Sequence, residues 1–320
     1  MSPMSRLRAQ LLRFWRTDAP LTATALLMLA LLAIFSAGLL LDSRLLLGAP
    51  VWLKPAKFAL SIAIYCFTMV WLFRFIPERA RTRRIVGRVT VAAMLLEMGI
   101  IGAQAARGTT SHFNVSTPLD ALLFAVMGAG IFAQTFTSVA LAVALFRQRF
   151  EDRALGWAVR LGMVITIAGA LLGGMMTQPS QEQVAQMSAG RPSVSGAHTV
   201  GAPDGGPGIT GTGWSREHGD VRVAHFMGLH AMQLLPLLAL TTRRLRASRE
   251  QRLRLVLSLA GSYVGLFGIL LWQALRGQSL LAPDLTTLLA LLVWATSTAA
   301  LTRASLRRRG LTSRVPLIAS

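Results

Sequence analysis

Eight apolar runs recur along this chain, each near the roughly 20 residues that a helix needs to cross a bilayer, with blocks of arginine between them. A hydrocarbon interior satisfies no backbone N–H or C=O, so such runs must be helices that bond within themselves. The chain therefore reads as an all-α polytopic membrane helix bundle of about eight transmembrane helices. The runs lie near residues 21–41, 51–75, 86–106, 119–146, 157–176, 222–240, 255–275 and 285–302. Residues 1–20 form a basic leader, 21–302 the transmembrane domain and 303–320 a basic tail. The first run exceeds the roughly 7–15 apolar residues of a secretory leader, so it reads as a retained span. Only 14 % of the 320 residues are charged, against about 25 % in an ordinary soluble domain.

The charge pattern orients the bundle. Formal net charge is +20, but no basic domain stands apart from the spans, which argues against nucleic acid as a partner. Eight spans put both termini on one side. Of the 33 Lys and Arg residues, eight fall on the other side: Arg44, Lys54, Lys57, Arg107, Arg191, Arg216, Arg222 and Arg276. The remaining 25 lie with the termini, which places both termini in the cytoplasm of a bacterial inner membrane. The single cysteine, Cys66, cannot form an intrachain disulfide and reads as packing. Gly261, Gly265 and Gly268 fit a close helix–helix contact in the seventh span.

With the sides assigned, the polar residues sort themselves. His112, His198, His218, His225 and His230 all fall in outer loops or the outer halves of spans. The one long loop, 177–220, is rich in Gly, Ser and Pro and reads as turns. His198 within it reads as solvated. Glu97 lies roughly 15 Å below the outer end of its span, and His230 roughly 12 Å below that of its own, at 1.5 Å per residue. Ionisable groups at that depth usually face a bundle interior or a cavity, and their similar depth allows the two to meet. Gln104 shares a face with Glu97, seven residues on. If helical, His218, Arg222 and His225 share one face at spacings of four and three, while His230 points away from His225.

One helix cannot present both His225 and His230 to a single ion, so a shared centre needs a ligand from elsewhere, and His112 is the natural one. The candidate metal ligands are therefore His112, His225 and His230, for haem b or a transition metal. Lys54, Lys57, Arg107 and Arg222 are candidates to bind a cofactor's carboxylates or another anion. Glu97, His230, His218 and Asp220 are the candidate acid–base groups. The chain contains no HExxH, CxxC, GxSxG or nucleotide fingerprint.

Three segments stand out as a set: WLKPAKFALSIAIY at 52–65, EMGIIGAQAARGTTSHFN at 97–114, and GAPDGGPG followed by TGWSREHGDVRVAHFMGLHAMQLLP within 201–236. Together they resemble a family of uncharacterised bacterial polytopic inner-membrane proteins. The resemblance implies a membrane bundle and supplies no activity. The ExxHR pattern of eight-span haem A synthases is absent, since neither His225 nor His230 precedes an arginine. Four readings stay open. The first is a haem- or metal-binding membrane protein, of oxidoreductase or electron-transfer type, with a periplasm-facing histidine site. The others are a proton-coupled transporter or permease, a lipid- or envelope-modifying enzyme, and a structural or assembly subunit. The partners expected are the lipid bilayer and a membrane-protein partner or second copy.

Overall fold

The computed structural model describes residues 2–191 and 193–307. The last part of the basic tail, with Arg308, Arg309 and Arg314, lies outside them. The chain runs α1 (Pro3–Thr17), α2 (Ala19–Leu41), a two-residue-turn hairpin of β1 (Leu45–Leu46) and β2 (Ala49–Pro50), α3 (Leu53–Phe73), α4 (Ala80–Ala106), α5 (Pro118–Arg147) and α6 (Arg153–Met176). It continues with α7 (Gln181–Ser188), β3 (Thr199–Val200), β4 (Gly219–Asp220), α8 (Val221–Leu229), α9 (Ala231–Thr241), α10 (Arg249–Leu275) and α11 (Leu285–Leu306). This is an all-α bundle. Seven of the described helices are long and apolar enough to cross a membrane.

The sixth apolar run, 222–240, is a broken span. Helices α8 and α9 meet at 51° around His230. Pro236 withholds an N–H from the carbonyl of Met232, and the break falls just before that lost bond. Thr166 on α6 fills the gap: its hydroxyl accepts the Met232 N–H at 3.1 Å and donates to the Leu229 carbonyl at 3.4 Å. The pair nevertheless crosses the whole bundle. At one end His225 lies against Gly173 of α6. At the other Arg243 pairs with Asp152, the N-cap of α6, at 3.0 Å. The α8–α9 pair thus runs antiparallel to the full length of α6.

Contacts also sort the loops into two ends. Residues 42–52, 107–117, 177–220 and 276–284 touch one another through Arg44 to the Ala106 carbonyl, the Asn114–Val194 bridge and Ser279 to the Arg216 carbonyl. At the opposite end Phe75 meets Phe150, and Gln251 donates to the Leu306 carbonyl. Both described ends of the chain lie there, so the arginine blocks share one end. Helices α4, α6, α10 and α11 extend up to six residues beyond the apolar runs at that end, because hydropathy marks the edge of the hydrocarbon while helical bonding continues through arginine-rich turns.

Two expectations need correcting. Helix α7 was not legible as an apolar period; its signal is the Ser180–Gln183 capping box. The closest helix seam is not at Gly261, Gly265 and Gly268. Of these only Gly265 has a neighbour, Trp294, within 4 Å of where a Cβ would stand. The tight seam runs along α6. A Cβ on Gly169 would sit 2.6 Å from Gly228 Cα, and one on Gly162 2.8 Å from the Ala231 carbonyl oxygen. Cys66 is buried as a free thiol.

Candidate functional site

The site forms where the 107–117 loop folds back over the N-terminal end of α3 and the C-terminal end of α4. Phe113 adopts a left-handed φ of 63°, a conformation costly for a bulky residue. Its ring is buried against Phe124 at 5.7 Å and His198 at 4.7 Å, and its carbonyl accepts the Ser195 N–H at 2.8 Å. This turn directs His112 inward. The imidazole Nε2 lies 3.2 Å from Glu97 Oε1, and Nδ1 lies 3.0 Å from Lys54 Nζ and 3.1 Å from Ser111 Oγ.

With Lys54 as an ammonium, which only donates, Nδ1 accepts from Lys54, and the neutral ring then carries its proton on Nε2 and donates it to Glu97. Burial pushes the His112 imidazolium below the usual range; the Lys54 cation adds to this and Glu97 opposes it. The result is a cation–imidazole–carboxylate chain from α3 through the loop to α4. Glu97 is 4 % exposed at its side chain, and its second oxygen, Oε2, is buried without a partner among the described residues.

The long loop roofs this chain rather than floating above it. His198 is not solvated: its Nδ1 meets Asp204 Oδ2 at 2.5 Å. Asp204 also receives the backbone N–H groups of His198 and Thr199 and the Thr199 hydroxyl. Burial opposes its ionisation, but these bonds, led by that from His198, hold the carboxyl well below the usual range. Lys57 donates to the Thr212 carbonyl at 2.5 Å, and Arg222 to the Gly213 carbonyl at 2.7 Å. Asp220 holds the Arg222 guanidinium in a fork while capping α8.

The other candidates have separate places. Arg107 and Gln104 both bind buried Asp120 at 2.8 Å, tying α4 to the start of α5. Glu97, Ile101 and Gln104 form a buried face, as their spacing predicts. His218 does not share the face of Arg222 and His225. The ladder of β3 with β4 delays the helix until Val221, and His218 pairs through its backbone with Gln278. His225 donates Nδ1–H to the Gly169 carbonyl at 2.7 Å, in the space that Gly173 leaves. His230 sits at the break against the Phe226 ring, 4.2 Å between centroids. Glu97 pairs with His112, not with His230.

These placements bear on a metal centre. Both His112 nitrogens are engaged, and His225 and His230 point to different neighbours. Among the described residues no three His, Cys, Asp or Glu side chains come together as a group that could hold a metal ion. The haem and metal reading thus gains no support from this geometry. No family model, curated protein or solved structure matches the chain.

Sequence reasoning missed two further polar clusters, both on α3 nearer the arginine-rich end of the bundle than Lys54. Gln134 of α5 donates to the Tyr65 hydroxyl of α3 and to Ser138 Oγ at 3.1 Å. Gln233 of α9 donates to Thr68 Oγ1 of α3 at 3.3 Å, while its Oε1 is buried and unpartnered. Single Gln, Tyr and Ser residues in apolar runs give no period to read; only the packing of α3, α5 and α9 brings them together.

Proposed function

We propose that the protein is a proton-coupled transporter of small anions, with Lys54, His112 and Glu97 as its outer proton station. The observation that carries this is the buried Lys54–His112–Glu97 chain with its free carboxylate oxygen. An imidazole bonded on both nitrogens passes a proton by taking one at Nδ1 as it releases another from Nε2. A proton given up by Lys54 thus appears on Glu97, and both charges vanish together. Ionisable groups inside a span commonly mark such relays.

Two further features support transport over chemistry confined to one face. The sixth span is discontinuous at His230, and broken helices near mid-membrane commonly form transporter binding sites. The Tyr65–Gln134–Ser138 and Thr68–Gln233 clusters continue polar groups beyond Glu97. Lys57, which meets the Thr212 carbonyl and no carboxylate among the described residues, favours an anionic solute at the outer mouth. In this reading the protein resides in a bacterial inner membrane with both termini cytoplasmic, and belongs with the polytopic family its segments resemble.

Reconstituted protein on a solid-supported membrane tests the reading. Monocarboxylates, dicarboxylates and phosphate are applied in turn under an inward proton gradient. At least one should evoke a transient current that grows with external acidity and is lost in a folded Glu97→Gln variant. Silence across the panel, or an unchanged current in Glu97→Gln, overturns it.

A further inference from the structure

Helix α1 has no role in that site, and its pattern points to a different partner. Met4, Leu7, Leu11, Phe14 and Trp15 recur at spacings of three and four, so they share one face. Arg6, Arg13 and Arg16 stand on the opposite face, and Arg8 flanks it. The helix holds no acidic residue, and none of its arginines makes an ion pair among the described residues. At 15 residues it is roughly 22 Å long, too short and too charged to cross the roughly 30 Å hydrocarbon core.

Its anchorage is slight. Phe14 packs on Phe67 of α3 with ring centroids 5.8 Å apart. Asp18 ends α1 by donating its N–H to the Phe14 carbonyl, and caps α2 by accepting the Leu21 N–H. No α1 residue is buried, and Met4, Leu7 and Trp15 are 77 %, 55 % and 49 % exposed. An apolar face of this size is left open at the arginine-rich end of a membrane bundle, on a helix whose charged residues are all cationic.

We propose that α1 is an in-plane anchor that docks on anionic phospholipid head groups at the arginine-rich face of the membrane. Its apolar face enters the acyl boundary beside α3, and Arg6, Arg13 and Arg16 meet lipid phosphates. Charge complementarity commits the partner: four cations without a counter-ion among the described residues, on an amphipathic helix, match an anionic lipid surface. The inference does not rest on the transport reading.

The test uses the full chain with Leu7→Cys in a Cys66→Ser background, spin-labelled and placed in nanodiscs. The discs contain phosphatidylcholine alone or with phosphatidylglycerol. Accessibility to oxygen, which partitions into lipid, is compared with accessibility to a water-soluble nickel chelate. With phosphatidylglycerol the label is open to oxygen and shielded from nickel. In phosphatidylcholine alone, or in Arg6→Gln, Arg13→Gln and Arg16→Gln, nickel gains access. Each arginine lost shifts the docked-to-undocked ratio roughly fivefold. Equal accessibility in both lipids overturns the proposal, as does shielding from both reagents, which marks a protein contact instead.

Discussion

The two ends of the bundle handle charge in opposite ways. At the histidine-bearing end each carboxylate discussed has a partner: Asp42 with Arg44 and Trp52, Asp120 with Arg107, Asp204 with His198, Asp220 with Arg222, Asp284 with Arg276 and Glu97 with His112. The hydrogen bond from Arg44 holds the Asp42 carboxyl well below its usual range, and that from Arg276 does the same for Asp284. At the arginine-rich end most of the described cations have no carboxylate partner, and Asp152 is the one described carboxylate there that gathers two, Arg243 and Arg252. Surplus charge in water needs no partner, because solvent stabilises it. Charge under a roof does need one, and there the geometry becomes specific.

That contrast is broken most directly at Lys54. Replacing it with Met leaves the His112–Glu97 end of the chain uncompensated, which should cost roughly 3 kcal/mol. Thermal unfolding in detergent measures this, and the double variant Lys54→Met/Glu97→Gln should recover most of the loss. A fully stable single variant would mean that water already serves Glu97.

The seam beneath the site comes next. Gly228→Ala places a Cβ 2.5 Å from Gly169 Cα, where backbone cannot yield cheaply. A loss of about 1–3 kcal/mol is expected, and His225 should part from the Gly169 carbonyl. An imidazole NMR spectrum unchanged by the substitution would remove the seam from the argument.

Acidity sharpens the comparison. Burial lowers the folded-state pKa of His112 relative to the unfolded chain. The unfolded ring therefore binds a proton that the folded ring refuses. Stability is full above the unfolded value of about 6.5 and falls as the pH drops below it, by at most about 1.4 kcal/mol per pH unit. Hydrogen exchange across 109–116 should accelerate below that point in the wild type, beyond its intrinsic pH dependence, and show less of this acceleration in His112→Asn.

At the arginine-rich end the expected effects are smaller. Asp152→Ala removes the α6 cap and both arginine contacts, yet should cost only about 1 kcal/mol, mostly from the cap. Arg13→Gln in detergent should leave the unfolding midpoint within about 0.5 kcal/mol of wild type. A loss there as large as that at Lys54 would erase the distinction between the two ends.

Legibility in the sequence followed the same division. The eight apolar runs, the arginine asymmetry and the gathering of histidine opposite to it could be read because hydropathy and charge accumulate along short windows. Glu97 was legible as a buried acid for the same reason: a carboxylate inside an apolar run stands out by itself. Its partner was not. Glu97 and His230 have similar depths in linear projection, but the left-handed turn at Phe113 brings His112 down first. His198 read as solvated because a Gly-rich segment carries no period, whereas Asp204 organises it through backbone N–H groups.

The sequence by itself determined that this chain lies in a membrane as helices, and which residues share each end of the bundle. These follow from transfer energies, which each residue carries with it. Only the tertiary structure decided that Lys54, His112 and Glu97 form one chain, that α6 closes on α8 through Gly169 and Gly228, and that the sixth span breaks at His230. Those are pairings between segments distant in sequence, set by which backbones can approach and which polar groups find no other partner.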